Sequence, residues 1–197
     1  MHKSSYYIIN GITLYRLFAA PVLLLLIFYR QVEIFRWLLA FSFFTDAIDG
    51  FLARRYKVSS VLGARLDSLA DDLTVIVAAI AVFLIKKDFV TQQILFFFIL
   101  LGLYLLQTIM AFRKYGKVSN FHTYLAKAAA VFQGIFLILI FFLPEPPLAL
   151  FYAAVIITII DLIEEIILVL VLPKWEVNVK GIFWVMKRKT GIKKLKI

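Results

Sequence analysis

The sequence predicts an all-α protein, an integral membrane bundle of six transmembrane helices with amphipathic terminal segments. Three observations carry that prediction. Hydrophobic residues fill 63% of 197 positions and the mean hydropathy is +0.95, a composition that excludes an ordinary soluble domain. Six apolar stretches of about 19 residues or more recur along the chain, each able to cross a hydrocarbon layer of about 30 Å as a helix. The connections between them are alternately rich and poor in lysine and arginine, as loops on opposite sides of a bilayer are. With no cysteine and two histidines, disulfides, thiolate centres and zinc are poor expectations, whereas clustered carboxylates suit a hard cation.

The amino-terminal MHKSSYY is too short and too polar to open a cleaved signal peptide, and is read as a segment of the mature chain lying along the membrane surface. The first span runs from about Ile9 to Tyr29, with Pro21 expected to bend it. Asn10, Thr13 and Arg16 recur near its start at i, i+3, i+6. Arg16 either snorkels to the interface or points inward, and the sequence leaves both open. The second span covers about Ile34 to Leu52 and the third Val61 to Ile85. The fourth, Ile94 to Phe112, carries no charge at all. The fifth, Tyr124 to Leu143, is divided by the turn PEPP from the sixth, Leu148 to Leu172. Residues 1–172 thus read as a six-helix transmembrane domain. Residues 173–197 read as a basic amphipathic tail, whose KGIFWVMKRKTGIKKLKI interleaves aromatic and basic residues as an interfacial helix does.

Orientation follows from the cations. With a cytoplasmic amino terminus, the inner connections hold Lys3, then Arg54, Arg55 and Lys57, then Arg113, Lys114 and Lys117, then the eight bases after Pro173. The outer ones hold Arg30 and Arg36, then Lys86 and Lys87, then none. Both termini therefore face the cytoplasm, and the net charge of +10 belongs to this bias and to anionic lipid, not to nucleic acid.

Against that apolar background the stretch DAIDGFLARRYKVSSVLGARLDSLAD, Asp46 to Asp71, stands out. A carboxylate at membrane depth costs about 2.5 to 3.5 kcal/mol even on the gentler scales, so four aspartates in or at the edge of apolar spans call for cations to meet them. At about 100° per residue, Asp46, Asp49, Gly50, Ala53 and Arg54 share one helix surface, while Gly63, Asp67 and Asp71 form a stripe at i, i+4, i+8 on the next. A short basic turn between the two helices would let the stripes face each other at one depth. Carboxylates from two helices can hold a pair of hard cations about 3.5 to 4 Å apart, the arrangement that clamps attacking and leaving oxygens in phosphoryl transfer. Gly50 and Ala53 clear bulk from the same surface, and Arg54 is set to fork onto phosphate. Asp71, farthest along its stripe, is the candidate to accept a proton from an attacking hydroxyl.

The pattern D-x-x-D-G-x-x-A-R, eight residues, G-x-x-x-D-x-x-x-D resembles the signature of the CDP-alcohol phosphotransferases. Asp46, Asp49, Gly50, Ala53, Arg54, Gly63, Asp67 and Asp71 match every fixed position. The resemblance implies a six-helix homodimeric membrane enzyme that displaces CMP from CDP-diacylglycerol and joins the phosphatidyl group to an alcohol acceptor. It further implies two divalent cations, Mg²⁺ or Mn²⁺, held by Asp46, Asp49, Asp67 and Asp71, with Asp71 also the catalytic base. Asp49, Gly50, Ala53, Arg54 and Gly63 would form the CDP-binding surface. NGITLYRLFAAP, Asn10 to Pro21, is similar to the N-x-x-T-x-x-R…P start of the phosphatidylglycerophosphate synthase branch, which points to glycerol 3-phosphate as acceptor. Two departures leave inositol phosphate, serine and inositol open. Position 72 is Asp where that branch commonly has lysine, and RKYGKVSNFHTYLAK does not read as its acceptor region.

An acceptor bearing its own phosphate would need cations on the motif's side of the membrane, and Arg113, Lys117 and Lys127 are the candidate acceptor-binding residues. The bland reading of Arg113, Lys114 and Lys117 is the positive-inside bias alone. In the sixth span Asp161, Glu164 and Glu165 fall at i, i+3, i+4 and share a face. A structural pairing with a basic or hydroxyl side chain across a helix interface is the leading reading, and a second polar site the other. Intramembrane acids also mark cation transporters, but the chain shows no inverted repeat and that reading leaves Gly50, Ala53 and Arg54 unexplained. An inactive structural relative would have lost an aspartate, and none is missing. With no targeting sequence read at the amino terminus, a bacterial inner membrane with a cytoplasm-facing site is the expected location.

Overall fold

The computed structural model describes residues 3–56, 61–117, 121–177 and 179–194, and the side chains of 11–46, 48, 66, 69–117, 121–177 and 179–188. Among them the protein is all-helical, with seven helices and no strand: α1 Lys3–Phe28, α2 Val32–Tyr56, α3 Val61–Ile85, α4 Lys87–Tyr115, α5 Tyr124–Phe142, α6 Leu148–Val171 and α7 Ile182–Lys194. Of these, α1, α4 and α5 are long and apolar enough to cross a membrane. α2, α3 and α6 have comparable lengths of 25, 25 and 24 residues and carry the acidic residues singled out above. Large apolar side chains such as Phe18, Phe98 and Leu170 lie exposed along these helices, as the lipid-facing side of an integral membrane protein requires.

The helix bounds follow local chemistry. α1 begins at Lys3, earlier than the apolar stretch alone indicated, and continues through Pro21. Its carboxyl end closes with Arg30 at φ +57, the Arg30 amide donating to Ile27 O and the Gln31 amide to Leu26 O, a pair of bonds that satisfies two terminal carbonyls. Gly116, at φ +66, stops α4 in the same left-handed region, where a Cβ would be strained. The turn between α3 and α4 is the single residue Lys86, whose amide still reaches Val82 O.

The chain divides into two compact units, residues 1–90 with 137–146, and residues 91–136 with 147–197. In the first, α1 packs against both α2 and α3. Small buried residues, Ala19 and Ala20 on α1 and Ala70, Ala78 and Ala81 on α3, let the backbones approach closely, the usual solution where no water drives helices together. Phe35, fully buried, stacks edge-on against Phe141 at 5.1 Å between centroids, and Trp37 meets Phe142 at 4.9 Å. Two hydroxyls buried in these helices bond back to their own turns, Ser42 to Leu38 O and Thr74 to Ala70 O.

In the second unit an aromatic layer of Phe96, Phe97, Phe136, Phe151 and Tyr152 holds α4, α5 and α6, with Tyr152 donating to Gln93 at 3.2 Å. Gln133 donates to Thr158 at 2.7 Å across α5 and α6. The segment after Pro173 folds back: the Val179 amide bonds Phe121 O at 2.7 Å, and Val179 and Val185 join a buried cluster with Ala111, Phe121, Leu168, Val169 and Leu172. α7 therefore docks through Val185 and leaves Phe183, Trp184, Met186, Lys187 and Arg188 exposed. Gly181 makes that docking feasible. At φ +145 it takes a backbone shape that L side chains rarely adopt, and a Cβ there would sit 2.9 Å from Glu164 Oε1. Gly181→Ala is expected to loosen α7 at a cost of about 1–3 kcal/mol, read as faster tryptic cleavage within its Lys/Arg run; an unchanged cleavage rate would remove Gly181 from this role.

Candidate functional site

The site is built on α1, α2 and α3. Arg16 lies on α1 and, although charged, is only 1% exposed. The inward alternative therefore holds, and the interfacial anchor does not. One amino group, Nη1, stands 2.8 Å from Asp46 Oδ1 on α2, and the other, Nη2, donates to Asp71 Oδ1 on α3. The planar fork of arginine suits this division, since two donors on one rigid group can serve two carboxylates at once. The two aspartate side chains are 38% and 40% exposed, so the arginine is sealed within the bundle while its partners open towards solvent.

Local sequence explains why these three meet. Thr13 is buried one turn before Arg16, and both lie on the face of α1 that also buries Ala19, Ala20 and Leu23. Thr45, next to Asp46, closes its hydroxyl on Ser42 O at 2.9 Å. On α3, Ala70 beside Asp71 is fully buried and Thr74 follows at the next turn, also buried. Asp72 is exposed.

Asp46 and Asp71, one from each half of the motif, are thus brought to a single cation. Asp49, Gly50, Ala53 and Arg54 lie on α2 and Gly63 and Asp67 on α3 by their backbone, but their side chains fall outside the described residues, as do residues 57–60, expected from sequence to be the basic turn. Among the described residues no group of three or more acidic, histidine or cysteine side chains gathers as a metal would require. The two described carboxylates nevertheless fit a hard divalent cation by chemistry. They are oxygen donors from different helices, converging at one level, partly open and already tolerating one positive charge between them.

The basic residues of the α4–α5 connection belong to the second unit, and there the structure separates them. Lys114 donates to Val169 O at 2.8 Å and Leu170 O at 3.0 Å, and the Tyr115 hydroxyl to Val169 O and Leu172 O. These two side chains cap the carboxyl end of α6, satisfying carbonyls that the helix cannot satisfy itself and placing a cation at the negative end of its dipole. The sequence signal for this was only charge, which the positive-inside bias already explained. Arg113, Lys117 and Lys127 are exposed; Lys117 sits over the Trp175 ring at 5.0 Å and Lys127, in the first turn of α5, over Tyr124 at 5.6 Å.

The acidic face of α6 has hydroxyl and backbone partners. Asp161, 8% exposed, accepts from the Thr123 hydroxyl at 3.1 Å, and that same oxygen accepts the Ala126 amide at 3.0 Å as the cap of α5. Glu164 Oε1 accepts the Ile182 amide at 2.9 Å at the start of α7. A threonine immediately before an apolar helix was the visible cue for the cap, whereas its acidic partner 38 residues away was not. Thr123→Val is expected to lower the melting temperature by about 5 °C, while Thr123→Ser stays near the parent; equal melting of both variants would break the assignment.

A family model described as CDP-alcohol phosphatidyltransferase matches residues 6–170. The chain is 36% identical over 87 residues to a protein of Rickettsia typhi named CDP-diacylglycerol--glycerol-3-phosphate 3-phosphatidyltransferase, covering 42% of this chain and 47% of that protein. The protein of that name from Rickettsia prowazekii is likewise 36% identical over 87 residues, covering 42% and 46%. A Schizosaccharomyces pombe protein named cardiolipin synthase (CMP-forming) / mitochondrial hydrolase fusion protein is 36% identical over 62 residues, 32% of this chain and 10% of that one. The chain thus spans about half the length of the Rickettsia relatives it matches, and a tenth of the fusion protein. No solved structure gives a match.

Proposed function

As the chain belongs to the CDP-alcohol phosphatidyltransferase family, we propose that it is a phospholipid-synthesis enzyme that transfers a phosphatidyl group from CDP-diacylglycerol to an alcohol and releases CMP, with glycerol 3-phosphate as acceptor. The observation that carries this reading is the convergence of Asp46 and Asp71, from the two halves of the motif, on one buried cation. The names of the Rickettsia relatives and the Asn10 to Pro21 segment support the acceptor.

In this reading Asp46, Asp49, Asp67 and Asp71 hold two divalent ions, Mg²⁺ or Mn²⁺, which when bound supply charge neutralisation for the diphosphate. Asp49, Gly50, Ala53, Arg54 and Gly63 line the CDP side, Gly50 and Ala53 by leaving room and Arg54 by pairing with phosphate. The acceptor hydroxyl oxygen attacks the phosphorus of the phosphatidyl group, its proton passes to Asp71, and the bond from that phosphorus to the CMP oxygen breaks. Positioning and electrostatics carry most of the rate, as in other phosphoryl transfers. Arg113, Lys117 and Lys127 meet the acceptor's own phosphate. The six long helices span a bacterial inner membrane with the site at the cytoplasmic side, residues 173–197 lie on its surface, and two copies form a homodimer.

Purified protein given CDP-diacylglycerol and Mn²⁺ is expected to release CMP with glycerol 3-phosphate and far less with inositol phosphate, serine, inositol or phosphatidylglycerol. Release with another member of that panel reassigns the acceptor, and release with none sinks the enzyme. EDTA should stop turnover reversibly. Asp71→Asn and Asp67→Asn should each lower kcat by at least about 100-fold while helical content by circular dichroism stays unchanged.

A further inference from the structure

We infer that Arg16 is the built-in counter-cation of the carboxylate site, a positioning residue that fixes Asp46 and Asp71 together and shares with the divalent ions the task of neutralising them. The divalent part of this inference rests on the function proposed above. The arginine part rests on geometry alone.

The bridge draws one residue from each of three helices. Because α1 packs against both α2 and α3, a side chain on its inward face can touch the acidic residues of both. Arg16 is buried to 1% exposure, so its charge has lost most of its water and draws compensation from these carboxylates. The carboxylates depend on it in return. Two aspartate oxygens drawn to one guanidinium lie close enough to repel strongly once that guanidinium is gone, and their partial exposure relieves only part of it. A divalent cation bound between the same carboxylates would relieve the same repulsion. Arg16 and the metal are therefore partial substitutes in holding α2 and α3 together, although only the metal is offered to the substrate diphosphate. Lysine at this position would keep the charge but lose the fork, and so would serve one carboxylate well and the other poorly.

The test is a set of melting curves on the full-length protein in detergent, with EDTA or with saturating Mn²⁺, backed by Mn²⁺ binding read from its electron paramagnetic resonance signal. In EDTA, Arg16→Gln is expected to melt roughly 10 °C below the parent. Mn²⁺ should recover at least about half of that loss, a larger gain than the parent shows. Arg16→Lys should fall between the two. Arg16→Gln with Asp71→Asn, which removes one carboxylate along with its partner, should melt above Arg16→Gln alone in EDTA. If Arg16→Gln does not fold, folding of that double variant supports the inference and its failure to fold overturns it. Equal losses in EDTA and Mn²⁺, together with no rescue by Asp71→Asn, would make Arg16 a packing residue only and leave the proposed enzyme standing. Rescue by Asp71→Asn in a protein that neither binds nor is stabilised by Mn²⁺ would keep the counter-cation and remove the metal chemistry instead.

Discussion

A guanidinium cannot be shut inside a helix bundle unless acceptors come with it, since the idealised cost of stripping an ion of its water is of order 20 kcal/mol and several kcal/mol survive relaxation. Arg16 meets that condition with Asp46 on one neighbouring helix and Asp71 on another. The dependence runs both ways, more weakly for the aspartates, which are 38% and 40% exposed. The packing of the first unit accommodates it: α1 contacts both α2 and α3, and the alanines that flank the charged level let it do so. A bulkier α1 face would hold the helices too far apart for one arginine to reach both carboxylates. Asp46 and Asp71, from the two halves of the motif, thus meet at a residue outside it.

The second unit solves a similar problem with neutral donors. Asp161 and Glu164 on α6 accept from a hydroxyl and from a backbone amide, so each acid is used to terminate another helix, α5 through Thr123 and α7 through Ile182. Lys114 and Tyr115 in turn terminate α6. In an apolar surrounding, where unpaired helix ends are costly, side chains of one helix complete the ends of the next, as Asp161 and Glu164 do here.

The helices themselves were legible in the sequence, because a run of about 20 apolar residues has one economical backbone conformation in lipid and its ends are marked by charge, proline or glycine. Val61 to Ile85 and the start of α5 at Tyr124 were readable to the residue, while α1 and α4 extend further because polar residues continue a helix that hydropathy alone does not count. The acidic stripes were legible too, since spacing at i, i+3 and i+4 is a property of one helix. What spacing cannot express is which third element lies against two stripes at once.

That was the part decided by tertiary structure. From sequence, Arg16 at the start of an apolar span could snorkel or turn inward with equal reason, since both conformations are open to a long side chain near an interface. Only the packing of α1 between α2 and α3 selects one. The same holds for Lys114, whose charge fitted a topological bias until the end of α6 arrived beside it. Sequence by itself determined an all-helical, apolar chain carrying a phosphotransfer-type aspartate pattern, because composition and periodicity are local. Tertiary structure decided which charges meet, because ion pairs between residues 55 positions apart depend on how helices pack and not on how any one of them is written.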